Sequence, residues 1–381
     1  MVTCLQNDHH LSRIGSWGNG RLCPKTMPAC PSAAVPRSET RGILALSIWA
    51  AAASTMTEDM GLNRLGNHMK RIQYHRYGGP DVMQMERFEP PALRPDDIAV
   101  KVVYAAINPV DWKVRRGDLK LVTGRKFPRA MGCDFSGEIL AVGSGVTAFK
   151  LGEAVFGVAP VKTCGALAEV VVAPQTVVGR KPESVTFEEA ACLGTPGVTA
   201  WNALIDKAHL KAGQHVLING CTGAVGAAAV QIALLQGAIV SGTCSADAAT
   251  QAKALGVTEV LDYRKTNLAT LSRRFDVVFD TAITMPIATG LCLLSRGGVF
   301  LDLEPGPAKI IRSLFDRRLK PIICTPRPAI MAALAEAARV GRLSVPSAQI
   351  VDFDAAIGKI ANLEQGVGSR GKAVVAIGTA V

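Results

Sequence analysis

His215–Gln236 reads HVLINGCTGAVGAAAVQIALLQ, and the rest of the chain is best read as its support. Val216–Ile218 is a short apolar, β-branched run, which predicts a buried strand. Gly220, Gly223 and Gly226 follow within seven positions. Ala227–Gln236 is apolar on nearly every side and built from good helix formers, which predicts a buried helix. Strand, glycine turn and helix together are the context in which a glycine-rich signature points to a dinucleotide. A helix N-terminus offers unpaired N–H groups and a partial positive charge, and a diphosphate uses both if no Cβ intervenes. Gly223 would allow that approach, and Gly226 would let the helix lie close to its strand. Cys221, Thr222, Gly223, Ala224, Val225 and Gly226 are therefore the candidate cofactor-binding turn. Its register departs from G-x-G-x-x-G, because the first position is Cys221. Three glycines also describe an ordinary tight turn, so the neighbouring units must decide.

Length and composition narrow the field. A chain of 381 residues, 49% hydrophobic, is long enough for two domains with sizeable cores. The net charge of +11 raises nucleic-acid binding, but the basic residues are scattered and aromatics are only 5%. Stacking platforms for bases are scarce, so no nucleic-acid partner is expected. A basic surface also attracts an anionic cofactor. Ten cysteines include no C-x-x-C pair. Several sit in apolar runs, which predicts free buried thiols in a reducing cytoplasm.

Residues 1–68 are rich in Ser, Gly, Pro and Ala without a sustained period. Their one apolar run, Gly42–Ser54, is too short to span a bilayer. It also lies some forty residues into the chain, too deep for a signal-peptide core. This stretch is expected to be a disordered extension or the product of a start codon placed too early, with Met69 opening the folded protein. Residues 69–184 are expected to form a β-rich domain. Lys70–His75, Ile98–Ala105, Asp134–Val142, Ala154–Val158 and Ala166–Val172 read as short strands separated by glycine turns, a barrel-like spacing. Residues 185–325 switch to strand–helix alternation. Strand candidates are Ala238–Thr243, Glu259–Leu261, Asp276–Phe279, Gly298–Leu301 and Pro321–Cys324, with a helix over Ala246–Leu255. With the opening unit they make a doubly wound parallel sheet. Residues 326–381 carry amphipathic helices near Ala329–Val340 and Asp354–Leu363 and a strand at Ala373–Ile377. They are expected to return to the first domain.

At this point the chain resembles the medium-chain dehydrogenase/reductases, in particular the zinc-free quinone oxidoreductases and related enone reductases. The resemblance runs from Met69 to about Ile377. It rests on YGGPDV (Tyr77–Val82), NPVDWKVRRG (Asn108–Gly117) and GCDFSGEILAVGSGV (Gly132–Val146). It rests equally on FEEAACLGTPGVTAW (Phe187–Trp201), NGCTGAVG (Asn219–Gly226) and GKAVV (Gly371–Val375). It implies a GroES-like β-barrel catalytic domain beside a Rossmann domain, with the active site in the cleft between them. It also implies a homodimer paired through the edge of the Rossmann sheet, for which Gly298–Leu301 is a candidate edge.

Zinc-using relatives ligate the catalytic ion with a Cys, a His and a further Cys or Asp. The matching positions here are Asn108, Cys133 and Thr195. One thiol, an amide and a hydroxyl make a poor zinc site, so no metal is expected. The resemblance places Asn108 by the nicotinamide and the substrate, and the segment after it along the pocket. Asp111 and Lys113 are catalytic candidates on that ground. Asn at an N-cap, Pro at N1 and an acid at N3 also make a sound helix start, and that alone would account for Asp111. Lys113 is a candidate for steering a carbonyl or anionic substrate, or else a solvated lysine. Thr199 in the Phe187–Trp201 segment is a further cofactor-side candidate.

Cofactor choice turns on the end of the second strand of the parallel sheet. NAD-specific sites usually carry an acid there for the ribose hydroxyls. Here the strand ends Thr243-Cys244-Ser245, so the 2′-phosphate of NADP would not be repelled, and Ser245 can donate to it. Tyr263 matches a tyrosine that borders the adenosine phosphate in NADPH-using relatives, with Arg264 and Lys265 adding charge. NADP is the expected cofactor and NAD the alternative. Asp280, after the fourth strand, is a candidate on position alone. The expected reaction is hydride transfer from NADPH to a small electrophilic substrate, a quinone or an α,β-unsaturated carbonyl. An enoyl-thioester reductase keeps the fold and changes the substrate. A cofactor-binding sensor without turnover is the reading from a different class.

Overall fold

Short strands punctuated by glycine and proline build the first part of the computed structural model, which describes residues 69–304, 306–367 and 371–379. The expectations for residues 1–68 lie outside that range. The strands are β1 (Met69–Tyr74), β2 (Gln84–Phe88), β3 (Asp97–Ala106), β4 (Arg129–Ala130), β5 (Asp134–Val142), β6 (Ala154–Val158), β7 (Val170–Pro174) and β8 (Val178–Arg180). Two helices interrupt them, α1 (Pro109–Arg116) and α2 (Lys120–Thr123). β2, β1 and β4 form a small antiparallel sheet in that order. β3 is the hub of the larger one. It is apolar and buried along nearly its whole length, as a strand covered on both faces must be. β5 takes one of its edges. β7 takes the other over Asp97–Lys101, and a strand from the far end of the chain takes it over Tyr104–Ala106.

A long helix, α3 (Phe187–Trp201), follows. Then come β9 (His215–Asn219), α4 (Ala224–Leu235), β10 (Ile239–Cys244), α5 (Ala249–Ala254), β11 (Glu259–Asp262), β12 (Phe275–Asp280) and α6 (Ile287–Cys292). β13 (Leu294–Asp302), α7 (Pro307–Phe315) and β14 (Leu319–Pro321) complete the parallel sheet. Its order is β11-β10-β9-β12-β13-β14. Strand order reverses between β9 and β12, so the crevice beyond their carboxyl ends is where such a sheet places a ligand. The glycine turn begins there. α8 (Pro328–Arg339), β15 (Ser347–Asp352), α9 (Ala356–Glu364) and β16 (Lys372–Ala376) close the chain's path. β16 is the strand that pairs with β3, and β15 pairs with β16.

α3 joins the two layers. Its Cys192, Leu193 and Val198 belong to one apolar core that also holds Ala106 and Cys133 of the barrel and Val216 and Ile218 of β9. Each such Val, Leu or Ile contributes roughly 1.5–3 kcal/mol on burial. The helix starts on a capping box, in which Thr186 Oγ1 accepts from Glu189 N–H and the Glu189 carboxylate accepts from Thr186 N–H.

Several expectations shift. β7 begins four residues later than the run at Ala166 suggested. Cys164, with φ of 54°, and the turn at Gly165 hold Ala166–Ala168 off the ladder, and Ala168 keeps a single bridge to Arg71. The helix expected at Ala227 begins at Ala224, with Gly223 as N-cap. The strand expected at Pro321–Cys324 ends at Pro321. Gly298–Leu301 is not an edge, because β14 pairs with β13 outside it; the edge on that side is β14. α7, whose apolar residues recur at helical spacing, and β15 fall outside the expected elements.

Candidate functional site

The glycine turn is held by hydrogen bonds between strand ends. Gly220 N–H donates to the Thr243 carbonyl (3.2 Å) and hydroxyl (2.9 Å), and Cys221 N–H donates to the same carbonyl (3.0 Å). Thr243 Oγ1 donates to Asn219 Oδ1 (2.5 Å), and Asn219 Nδ2 donates to Asp280 Oδ1 (2.7 Å). β9, β10 and β12 are thus tied together at their carboxyl ends. Gly220 sits at φ of +83°, and a Cβ there would meet Ala282 Cβ at 2.9 Å. A Cβ on Gly226 would lie 2.1 Å from the Gly220 carbonyl oxygen, whereas one on Gly223 meets nothing closer than that oxygen at 3.4 Å. Gly226 therefore closes the turn on itself, and Gly223 faces open space. No side chain caps α4, and its first-turn amides, at Ala224, Val225 and Gly226, have no acceptor one turn earlier.

The other cofactor candidates divide. Thr222 and the α4 amides border the open side. Cys221 is buried against Gly242, where a Cβ would meet its sulfur at 2.7 Å, so the turn offers its backbone and not its thiol. Ser245 caps the 3-10 turn after β10. Tyr263 follows β11, is 54% exposed, and lies beside it through its N–H to the Cys244 carbonyl (3.3 Å). The Arg264 guanidinium is 5.5 Å from the Tyr263 ring centre. Asp280 is buried. Beyond Asn219, its carboxylate accepts from Met285 N–H (2.9 Å) and Thr284 N–H (3.4 Å), so it shapes the loop after β12. Thr199 is buried in α3 beside the Cys324 thiol.

On the barrel side, Asn108 caps α1 with its backbone. Its N–H donates to Asp111 Oδ2 (2.7 Å). Its side chain does not cap: Nδ2 donates to the Ala106 carbonyl (3.2 Å) and to Asp134 Oδ2 (3.0 Å), and Oδ1 accepts from Lys372 Nζ. Lys372 Nζ also reaches Asp134 Oδ2 at 3.4 Å. The other oxygen of Asp134 accepts from Thr195 N–H (2.8 Å) and Thr195 Oγ1 (2.6 Å). Asp134 is fully buried, Asn108 3% exposed and Lys372 5%. Four segments remote in sequence thus meet around one carboxylate. Pro196, the next residue, lies inside α3 and has no N–H of its own to give the helix. Gly194 makes room, since a Cβ there would lie 2.7 Å from Asp134 Oδ1.

Asp111 Oδ1 is buried without a hydrogen-bond partner among the described residues. Burial raises its carboxyl to about 7. Lys113 is half-buried and points across the cleft, 3.5 Å from Glu304 after β13. Asp134, Thr195 and Lys372 were not marked as site residues, although all three lie in quoted motifs. A lysine inside the apolar run GKAVV was the available signal, because a strand buried on both faces carries a charge only against a partner.

The positions matching zinc ligands do not fit a metal. The Asn108 amide is committed to Lys372 and Asp134. Cys133 Sγ lies 3.9 Å from Cys164 Sγ, and that thiol, then burial, hold Cys133 protonated, well above the usual thiol range. An ammonium occupies the neighbourhood that a cation would need. Among the described residues no group of three or more His, Cys, Asp and Glu could hold an ion, and no helix is long and apolar enough to cross a membrane.

Comparison with known proteins bears on the family and the fold. Residues 94–183 match the alcohol dehydrogenase GroES-like domain, and residues 255–375 match the zinc-binding dehydrogenase domain. The chain is 34% identical over 275 residues to a chloroplastic quinone-oxidoreductase homolog of Spinacia oleracea, covering 68% of this chain and 84% of that one. It is 31% identical to an NADPH-dependent alkenal/one oxidoreductase of Arabidopsis thaliana, chloroplastic, over 74% of this chain and 75% of that one. Among solved structures, the quinone oxidoreductase from Coxiella burnetii superposes with a TM-score of 0.72 at 29% identity, covering 81% of this chain and 99% of that one.

Proposed function

The chain belongs to the medium-chain dehydrogenase/reductase family, in its quinone oxidoreductase and enone reductase branch, and from that premise we propose that it reduces a quinone or an α,β-unsaturated carbonyl with NADPH. The observation that carries the proposal is the uncapped N-terminus of α4, left open at Gly223 in the crevice of the parallel sheet. A pyrophosphate fits amides so disposed. Thr222, Ala224 and Val225 would hold it, and Ser245, Tyr263 and Arg264 would meet an adenosine 2′-phosphate. Bound there, the nicotinamide would supply the hydride.

The chain's own part is placement. Lys372 and Asp134 fix the Asn108 amide from both sides, so Asn108 acts as a positioning residue and Thr195, less buried than its partners, faces the acceptor. Lys113 and Glu304 span the cleft mouth. Asp280 orders the loop after β12. Aligning two reactants lowers a barrier by roughly 7–11 kcal/mol. Proton delivery adds a factor of about 10²–10⁴, which water can provide. Residues 69–184 and 326–381 form the catalytic domain in this reading, and residues 185–325 the nucleotide domain.

The free thiols of the described residues suit a reducing compartment, the cytoplasm in our reading. α7 presents Ile311, Leu314 and Phe315, 58%, 74% and 86% exposed, next to the sheet edge at β14. An open edge beside an apolar face is a surface that a second copy would cover, so we place the homodimer contact there.

The test is loss of NADPH absorbance against a panel of quinones, enones and enoyl thioesters, with NADH alongside. Turnover of quinones or enones with NADPH preferred is expected. Turnover of thioesters alone would move the assignment to an enoyl-thioester reductase, and tight NADPH binding with no turnover would make the protein a sensor.

A further inference from the structure

A cavity of about 550 Å³ opens on the barrel, and the nucleotide turn and the Asp134 cluster contribute nothing to its lining. Arg71, Arg94, Lys126, Arg129 and Lys162 face it, with Asp97 as the one carboxylate among the lining residues. Asp97 is already used, accepting from Arg94 N–H at 3.2 Å and facing the Arg94 guanidinium at 4.0 Å. The wall between these cations is apolar and includes Phe88 and Val172.

Arg129 is the decisive residue. It is only 8% exposed. One terminal nitrogen donates to the Thr123 carbonyl (2.8 Å) and the other to the Lys162 carbonyl (2.9 Å). Its Nε makes no well-aligned hydrogen bond, with only the neutral Tyr74 phenol close beside the guanidinium, and no carboxylate among the described residues pairs with it. The neighbouring Tyr74 phenol is neutral, pushed up to about 12 by burial. A buried guanidinium held by two carbonyls and balanced by no anion is costly unless something else supplies the charge. Its carbonyl bonds fix the fork in place, and guanidinium forks suit carboxylate and phosphate. Lys126 and Lys162 are exposed beside it. Arg71, its guanidinium 4.6 Å from the Phe88 ring centre, adds an apolar and cationic surface further along.

We propose that this cavity binds an amphipathic organic anion, with its carboxylate or phosphate head on Arg129 and Lys162 and its apolar body along Phe88 and Val172. At about 550 Å³ the space falls within the roughly 300–1,000 Å³ usual for small-molecule sites. The cavity also touches Cys164, whose thiol contacts Cys133 one residue from Asp134. An occupant would thus sit two side chains from the candidate catalytic cluster without entering it.

Calorimetric titration of the full chain with decanoate, decyl phosphate, decanol and inorganic phosphate tests this. Saturable one-to-one binding of decanoate or decyl phosphate is expected, at least tenfold tighter than decanol and weakened by salt. The tighter of the two identifies the head. The double variant Lys126→Glu/Lys162→Glu should bind at least tenfold more weakly while its NADPH affinity and reductase turnover stay unchanged. Arg129→Gln should abolish binding, and the surface double variant decides the matter if that protein does not fold. Equal affinity for decanol, binding unchanged in the double variant, or no binding by any probe would overturn the proposal. None of these outcomes bears on the reductase reading.

Discussion

Lys372 is buried against Asp134. Its ammonium is the counter-charge to a buried carboxylate, and removing one member of such a pair typically costs about 3–5 kcal/mol. Lys372→Met should therefore lose stability on that scale in urea denaturation, and kcat should fall because the Asn108 amide is no longer oriented. Adding Asp134→Asn should restore much of the stability and little of the turnover, since the geometry at Asn108 and Thr195 is not rebuilt. Asp111 makes a separate prediction. Its native carboxyl titrates near 7, raised by burial from an ordinary value of 3.8. The folded form thus holds a proton that the unfolded chain releases, and stability falls as pH rises between about 4 and 7. At about 1.4 kcal/mol per pH unit, the ceiling is on the order of 4 kcal/mol. Asp111→Asn keeps an acceptor for Asn108 N–H and removes the titration. Denaturation midpoints at pH 4.5 and 7.5 should show wild type losing ground to the variant at the higher pH; parallel midpoints would refute the assignment. At this scale the sequence was partly legible. Asn108 stood out through its helix start, but its charged side-chain partners lie 26 and 264 residues away, beyond any local pattern. Asp134 and Lys372 were visible as motif members and not as a pair.

Among elements, the turn from β9 into α4 separates two glycines that look alike in the sequence. Gly223→Ala finds open space and an ordinary backbone, so its stability should stay within about 0.5 kcal/mol of wild type while NADPH binds at least tenfold more weakly. Gly226→Ala drives a Cβ into the Gly220 carbonyl and should cost on the order of 1–3 kcal/mol, as overpacking does. Thermal melts paired with NADPH titrations check both, and an equal effect on affinity and stability at the two positions would remove the distinction. Strand periodicity was strong enough to find β1, β3, β5, β6 and β10 nearly in full and the middle of β9 and β12. It failed where tertiary contacts decide. The turn at Gly165 delays β7, β14 is only three residues long, and the exposed edge strand β15 shows no alternation. α3 was quoted as a motif but not assigned as a helix, because Gly194, Pro196 and Gly197 within four positions mask a helix that tertiary packing supports.

For the whole molecule, the exposed face of α7 sets the association prediction. Leu314→Glu/Phe315→Glu should convert a dimer to a monomer in sedimentation equilibrium with the parallel sheet intact by circular dichroism. A wild-type protein that sediments as a monomer at tens of micromolar would rule out that contact. The doubly wound class and the β-rich first half followed from rhythm and glycine spacing alone, and the strand order did not. Which strand forms the border of the parallel sheet did not, because a short final strand leaves almost no imprint on composition.

The bond between Asn108 and Lys372 joins positions 264 residues apart, and it has a bearing on synthesis. A ribosome making this protein finishes every strand of the parallel sheet before the lysine emerges. Until then Asp134 lacks the ammonium that pairs with it in the finished fold, so a prematurely ended chain would leave that carboxylate to be buried uncompensated.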